Sequence, residues 1–262
     1  MQQRVSEITG ENFVYNHVVY TEPDQKRFTR HVNNELELIF FLKGSATYII
    51  EDKKYKLKRG DLVIIRPSKY HYVQIDENTS YERYNLLFPV SLIGKELLRQ
   101  IPDDVEVISC ENDSLIFDIF KRADMYSGFG EKPFFDLIGG LMKELFYNLV
   151  YTGDEDVSTP TTLSPTVSRA LEYINENIYT IKDIEEVCRA LFITEAYFFR
   201  IFKDHLKISP KKYITNKRLI TAKKLLDRGE KPTTVYQKCG FNTYTAFYKR
   251  YVEFFGSSPS EK

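Results

Sequence analysis

The chain has no run of about 18 apolar residues, the length a helix needs to cross a bilayer, so no membrane span is expected. It opens MQQRVSEITGENF, without the basic-then-apolar pattern of a secretory signal, so no export is expected either. Cysteine is scarce. Cys110, Cys188 and Cys239 are odd in number, far apart and at no metal-binding spacing, which suits small buried hydrophobes in a reducing cytoplasm. Net charge is missing too, because 37 Lys+Arg balance 37 Asp+Glu. That balance conceals a split. Residues 165–262 hold 18 basic and 11 acidic side chains, whereas residues 1–164 hold 19 and 26. A basic half fits a polyanionic partner, and an acidic half fits a sensor joined to it.

At 262 residues the chain has the length of about two domains, and it changes period along its course. Residues 13–90 read as short strands rich in β-branched and aromatic residues. They include 18–20, 36–42, 46–50, 55–57, 62–65, 72–75 and 84–88, with turn formers at Lys43-Gly44-Ser45, Arg59-Gly60-Asp61 and Pro67-Ser68. Many short strands with tight turns predict a closed or sandwiched β-barrel. Helical spacing follows at 91–101, 113–127 and 133–151, where Leu137, Leu141, Leu145 and Leu149 form an i, i+4 row. Such an apolar face needs cover, from the barrel wall or from a second subunit. Residues 152–165 are polar and proline-bearing and read as a linker. From 166 onward the pattern is helical, at 166–177, 181–190, 194–205, 210–228, 232–238 and 243–255. Thr180 and Thr194 are the expected N-caps, Pro210 and Pro232 fit first turns, and Gly229 fits a helix stop. The expected organisation is a sensing barrel over 1–92, a helical dimerisation segment over 93–151, a linker over 152–165 and an all-α domain over 166–262.

Within the last domain one segment occurs twice, 49 residues apart. TEAYFFRIFKDHLKISP (194–210) aligns with TYTAFYKRYVEFFGSSP (243–259), pairing Phe198 with Phe247, Arg200 with Lys249 and Phe202 with Tyr251. In the first copy Ile184, Val187 and Cys188 give a buried stripe, and Phe198, Ile201 and Phe202 pack against it. Glu195, Ala196, Phe199, Arg200 and Lys203 are left outward. In the second copy Gly240 supplies a tight turn and Tyr244, Thr245, Tyr248, Lys249 and Val252 face outward. Two packed helices with a short turn, the second offering its first half outward, form a helix-turn-helix unit. Arg200 suits bidentate donation to guanine and Lys249 a looser version, Ala196 and Phe199 suit thymine methyls, and Thr245 suits either base edge. Lys203, Lys211, Lys212, Lys217, Lys249 and Arg250 suit phosphates. Aromatic positions 198, 202, 247 and 251 read as core.

On these residues the domain resembles the AraC/XylS family of transcriptional activators. The resemblance is carried by the run ALFIT from Ala190, by Phe198, Phe202-Lys203, Ser209-Pro210-Lys211-Lys212-Tyr213-Ile214, Arg218-Leu219, Ala222 and Leu225-Leu226. It continues through Cys239-Gly240-Phe241, Phe247, Tyr251 and Gly256-Ser257-Ser258-Pro259. It covers residues 166–262 and implies two units joined by a rigid helix over 210–228, with recognition helices in adjacent major grooves. By the resemblance the reading residues fall on Ala196, Phe199 and Arg200, and on Tyr244, Thr245 and Lys249. The chain departs from the family at Lys207, where glycine is common, and at Val252, where a basic residue is usual.

The N-terminal half resembles a cupin, with His31, Asn33, Glu37 and Gly44 in the place of a first motif and Gly60-Asp61, Pro67 and His71 in that of a second. Metal cupins use three imidazoles and a carboxylate, and here only His31, Glu37 and His71 remain, so no metal, cofactor or catalytic residue is assigned. As a sensor barrel it would contact a small-molecule effector, for instance a sugar, through His31, Asn33, Glu37, Tyr48, Arg66 and His71, with Tyr70 and Tyr84 as further candidates. The alternative is that these residues are barrel wall alone. The expected molecule is a cytoplasmic, homodimeric, effector-responsive activator that binds double-stranded DNA and engages RNA polymerase. Two rivals stand beside it: a ligand-independent regulator whose barrel only dimerises, and a metal-dependent cupin enzyme fused to a DNA-binding domain.

Overall fold

A computed structural model describes residues 2–11, 13–76, 78–152, 156–162 and 164–261. The chain divides into two compact units, residues 1–161 and 162–262.

In the first unit β1 (Gln2–Gly10), β2 (Phe13–Tyr20), β3 (His31–Val32), β4 (Leu36–Lys43), β5 (Ala46–Ile50) and β6 (Lys53–Lys56) come first. They are followed by β7 (Asp61–Ile65), β8 (Tyr70–Ile75), β9 (Tyr81–Phe88), α1 (Lys95–Leu98), β10 (Val107–Ser109), α2 (Ser114–Ser127), α3 (Glu131–Tyr151) and β11 (Asp156–Val157). One sheet runs β1-β2-β9-β4-β7-β10-β11 and the second contains the run β6-β5-β8-β3. Strand alternation sorts the side chains. From β4, Leu36, Leu38 and Phe40 join the core beneath the helices, while Ile39 and Phe41 join the core between the sheets. From β9, Tyr84, Leu86 and Phe88 go to the helix side and Tyr81 goes between the sheets. By the same alternation Glu37 and Arg83 face the space between the sheets.

The helices that follow the strands pack on the large sheet. Phe120 of α2 stacks on Phe40 at 4.7 Å and on Tyr84 at 5.1 Å, and Phe134, Ile138, Met142, Leu145 and Phe146 of α3 are fully buried. Of the predicted leucine row, 141, 145 and 149 are buried and Leu137 is 39% exposed. β1 is a strand the composition did not announce: QQRVSEITG is polar, and it is held as an edge by antiparallel pairing with β2. β10 and β11 are equally silent in the sequence, being three and two residues long.

The second unit is helical: α4 (Pro165–Glu176), α5 (Ile184–Leu191), α6 (Glu195–Leu206), α7 (Pro210–Asp227), α8 (Pro232–Lys238) and α9 (Tyr244–Phe255). The expected start of α5 is corrected. Thr180 is not its cap; Asp183 accepts from Glu186 N at 2.9 Å, and Glu186 accepts from Lys182 N at 3.2 Å. A carboxylate at the N-cap with a glutamate three residues on satisfies two helix-start donors that a distant threonine cannot reach. Pro210 and Pro232 open their helices, and Gly229 (φ 86°) stops α7.

Candidate DNA interface and sensor interior

The repeat becomes two equivalent pieces of structure. Thr194 caps α6 by accepting from Tyr197 N at 3.3 Å, and Thr243 caps α9 by accepting from Ala246 N at 3.2 Å. Phe198 packs on Phe202 at 5.2 Å, and Phe247 on Tyr251 at 5.5 Å, all four buried. Burying one such ring contributes about 1.5–3 kcal/mol. The turns match as well. Phe192 and Gly240 are both left-handed (φ 56° and 76°), and the residue after each donates back to the helix, Ile193 N to Cys188 O and Phe241 N to Tyr236 O. A Cβ on Gly240 would stand 2.5 Å from Tyr179 O, so only glycine fits there. Phe192 keeps the same left-handed backbone with its ring in solvent, 92% exposed. Lys207 ends α6 at φ 53° where Gly256 ends α9 at φ 73°, so the lysine noted in the sequence occupies a backbone conformation suited to glycine.

The outward residues divide into free and partly packed. Glu195, Ala196, Arg200 and Lys203 on α6 are exposed, as are Thr245, Tyr248, Lys249 and Arg250 on α9. Phe199 is half-buried against Phe198. Tyr244 is half-buried between Tyr236 (5.9 Å) and Phe247 (6.0 Å), so its ring supports the second unit's core more than it presents itself outward. Arg250 pairs with Glu253 at 2.9 Å. Tyr197 is not among the residues expected from the repeat. Its ring lies 5.5 Å from the Arg200 guanidinium and holds that side chain over the first turn of α6.

The two units are tied by one side chain. Arg218, midway along α7, donates to Ile178 O (2.7 Å) and Ile181 O (2.6 Å) before α5 and to Gly240 O (2.7 Å) in the α8–α9 turn. Burial lowers its pKa from the usual arginine value, yet three carbonyl dipoles hold the charge.

Between the sheets of the first unit, one region is polar. His31 pairs with His71 across β3 and β8, and Glu37 comes from β4. Glu37 Oε2 lies 2.9 Å from His71 Nε2 and 4.0 Å from His31 Nε2, and accepts from Asn33 Nδ2 at 2.6 Å. Burial alone would raise the Glu37 carboxyl; His71, His31 and Arg83 outweigh it and hold it at about 2. His31 is lowered by burial and by His71. Tyr48 is buried and pushed well above its ordinary value, chiefly by burial. Arg83, which the sequence reading passed over, has Nε and Nη1 shut from solvent with no hydrogen-bond partner.

Four of the six expected effector residues, His31, Asn33, Glu37 and His71, therefore come together, and Tyr48 shares their electrostatic environment. Arg66 does not join them. Its guanidinium donates to Val105 O (2.7 Å), Ile101 O (2.9 Å) and Pro102 O (2.8 Å), fastening the segment after α1. Tyr84 lies on the opposite face of β9, against Phe120. The one cluster of metal-ligand type among the described residues is His31, Glu37 and His71. No helix among them is long and apolar enough to cross a membrane.

A β-sandwich sensor unit joined to paired helix-turn-helix units defines a DNA-binding regulator. Residues 187–262 match the family profile described as a helix-turn-helix domain, and residues 17–122 match the one described as an AraC-like ligand binding domain. Together the two matches give the chain the domain pair of an AraC-type transcriptional regulator. It is 23% identical over 229 residues to the lactose operon transcription activator of Staphylococcus xylosus, covering 84% of this chain and 80% of that one. It is 29% identical over 126 residues to the raffinose operon transcriptional regulatory protein RafR of Pediococcus pentosaceus, covering 47% of this chain and 46% of RafR. LumQ of Photobacterium leiognathi is 30% identical over 89 residues, or 34% of this chain and 36% of LumQ. The chain thus spans about a third of LumQ and under half of RafR.

Proposed function

We propose that the chain is an effector-responsive transcriptional activator that reads one asymmetric DNA site with α6 and α9. One observation carries this reading: both helices start at equivalent threonine caps and expose a cation at the same helical position, Arg200 and Lys249, beside unlike neighbours. Ala196 and Arg200 on α6, and Thr245 and Lys249 on α9, are the base-reading candidates, with Phe199 and Tyr244 contributing from half-buried positions. Glu195 and Tyr248 border the two faces, and Lys203 and Arg250 meet phosphates. A DNA target puts the working protein in the cytoplasm, and an activator engages RNA polymerase.

The effector site in this reading is the polar region around Glu37, His31, His71, Asn33 and Tyr48, with Arg83 added. A shut-off guanidinium with two unpartnered N–H groups suits an oxygen-rich ligand, and the operons named for the lactose and raffinose relatives favour a sugar. In this proposal the region is a sensor, not an enzyme.

Arg200→Ala tests the DNA assignment. Its footprint should lose discrimination at one base pair, worth about 1–3 kcal/mol, with other positions kept. Unchanged preference at every position in a full set of single-base operator variants would remove Arg200 from the reading set. A thermal-shift panel of sugars tests the sensor half, since a ligand bound only by the folded state raises the melting temperature.

A further inference from the structure

His31 and His71 are oriented alike. Nδ1 of His31 lies 2.9 Å from Thr29 O, and Nδ1 of His71 lies 3.0 Å from Lys69 O. A carbonyl can only accept, so each Nδ1 carries a proton, and a ring with no second proton offers a bare lone pair at Nε2. Both Nε2 atoms converge on the same carboxylate oxygen, Glu37 Oε2. That oxygen is itself steadied by the Asn33 amide. His71 is 1% exposed, and its Nε2, although 2.9 Å from Glu37 Oε2, lies off the hydrogen-bond direction and has no hydrogen-bond partner. Lone pairs facing one another in a buried place are costly unless a cation stands among them.

We propose that His31, His71 and Glu37 bind a divalent first-row transition-metal ion, with Asn33 as the outer hydrogen bond that orients the carboxylate. An imidazole whose second nitrogen donates to a backbone carbonyl is the arrangement that fixes a metal-binding histidine. Two imidazoles and one carboxylate favour zinc, iron, cobalt or nickel over calcium and magnesium. Bonds of about 2.0–2.2 Å set neighbouring ligand atoms about 3 Å apart. Glu37 and His71 already have that spacing, and all three ligand atoms lie within 4.8 Å of one another. His31 has a half-exposed side chain and closes the remaining gap by a small ring movement. Three protein ligands leave open coordination positions. The Arg83 charge near Glu37 opposes the ion and makes the site exchangeable, unlike a closed structural zinc centre. The site goes beyond the effector reading and stands whatever signal the sensor unit reads.

The test is a titration of the chelator-stripped full-length protein with Co²⁺ alone, followed by its visible ligand-field bands and by isothermal calorimetry, with no DNA or sugar present. One Co²⁺ per chain should bind and be displaced by Zn²⁺. The near-isosteric Glu37→Gln should abolish stoichiometric uptake, and so should His71→Ala. Asn33→Ala should weaken uptake about 10–100-fold. Circular dichroism of each variant checks the fold. No saturable uptake by the parent chain would overturn the proposal, as would uptake unchanged in a folded Glu37→Gln. Either outcome leaves the DNA and sugar assays unaffected, so the two readings fail separately.

Discussion

His17 shows how single residues fasten this fold. Its Nδ1 meets Asp124 Oδ2 at 2.8 Å and its Nε2 meets Glu82 Oε1 at 3.0 Å, while Tyr15 donates to Asp124 Oδ1 at 2.6 Å and Ser6 also donates to that oxygen. One carboxylate on α2 is thereby bound to three side chains of β1 and β2. Burial would lower the His17 pKa from 6.5, but Asp124 and Glu82 outweigh it and the pKa is raised. A raised folded pKa stabilises fully below 6.5 and is lost as pH climbs through the folded value. For Asp124, burial is again outweighed, here by hydrogen bonds from His17, Ser6 and Tyr15, and the pKa falls below 3.8. Its contribution is present above 3.8 and lost as pH drops through the depressed value. The cluster therefore contributes most between these two ordinary values. His17→Gln should cost about 2–3 kcal/mol in mildly acidic solution and flatten the loss of stability toward alkaline pH. Urea denaturation at a series of pH values measures both. Little of this was legible in the sequence, because His17, Glu82 and Asp124 lie on three different elements. Arg83 went unread for the same reason: its neighbour in sequence faces the helices, while it faces the sheet interior.

At the scale of elements the sequence was more generous in the second unit than in the first. Helical spacing, with the expected N-cap at Thr194, locates α6 and α9 within a residue, since caps and apolar stripes are local. Strands such as β1 and β10 gave no such signal, because their pairing partners, not their own composition, make them strands. The element with most to lose is α7. Its Arg218 supplies a side-chain hydrogen bond from α7 to the α8–α9 turn, and it reaches the segment before α5 as well. Arg218→Met keeps the apolar stem and removes the donors. It should cost about 2–3 kcal/mol, as expected for hydrogen bonds to a charged group, and let the two helix-turn-helix units unfold separately. Hydrogen exchange would then show α8–α9 amides opening before those of α5–α6. A single cooperative opening in the variant would mean that packing alone couples the units.

For the whole molecule, the remaining exposed apolar surface of the sensor unit is concentrated on α2 and α3. Leu137, Tyr147 and Tyr151 are 39%, 52% and 71% exposed on one stripe of α3, and the two tyrosine rings stack at 6.1 Å. The rest of the apolar face of α3 is covered by the sheet, so this stripe is the part a second copy would cover if the chain dimerises through α3. Sedimentation should show a dimer for the parent chain and a monomer for Tyr147→Asp with Leu137→Asp, with each monomer still folded. A parent chain that stays monomeric would assign operator symmetry to something other than α3.

The sequence by itself determined the two helix-turn-helix units, their cores and the Thr194 cap, because a repeat of local patterns spaced 49 residues apart leaves little freedom. It also determined that the two outward faces differ, with Ala196 and Arg200 on one and Thr245 and Lys249 on the other. Only the tertiary structure decided that Arg218 locks the units together, that Tyr244 belongs partly to the core, and that Arg66 serves a loop. It alone aimed His31 and His71 at Glu37. The physical reason is the same in each case: strand pairing and carbonyl capture join residues tens of positions apart, and no period in the chain records which of them will meet.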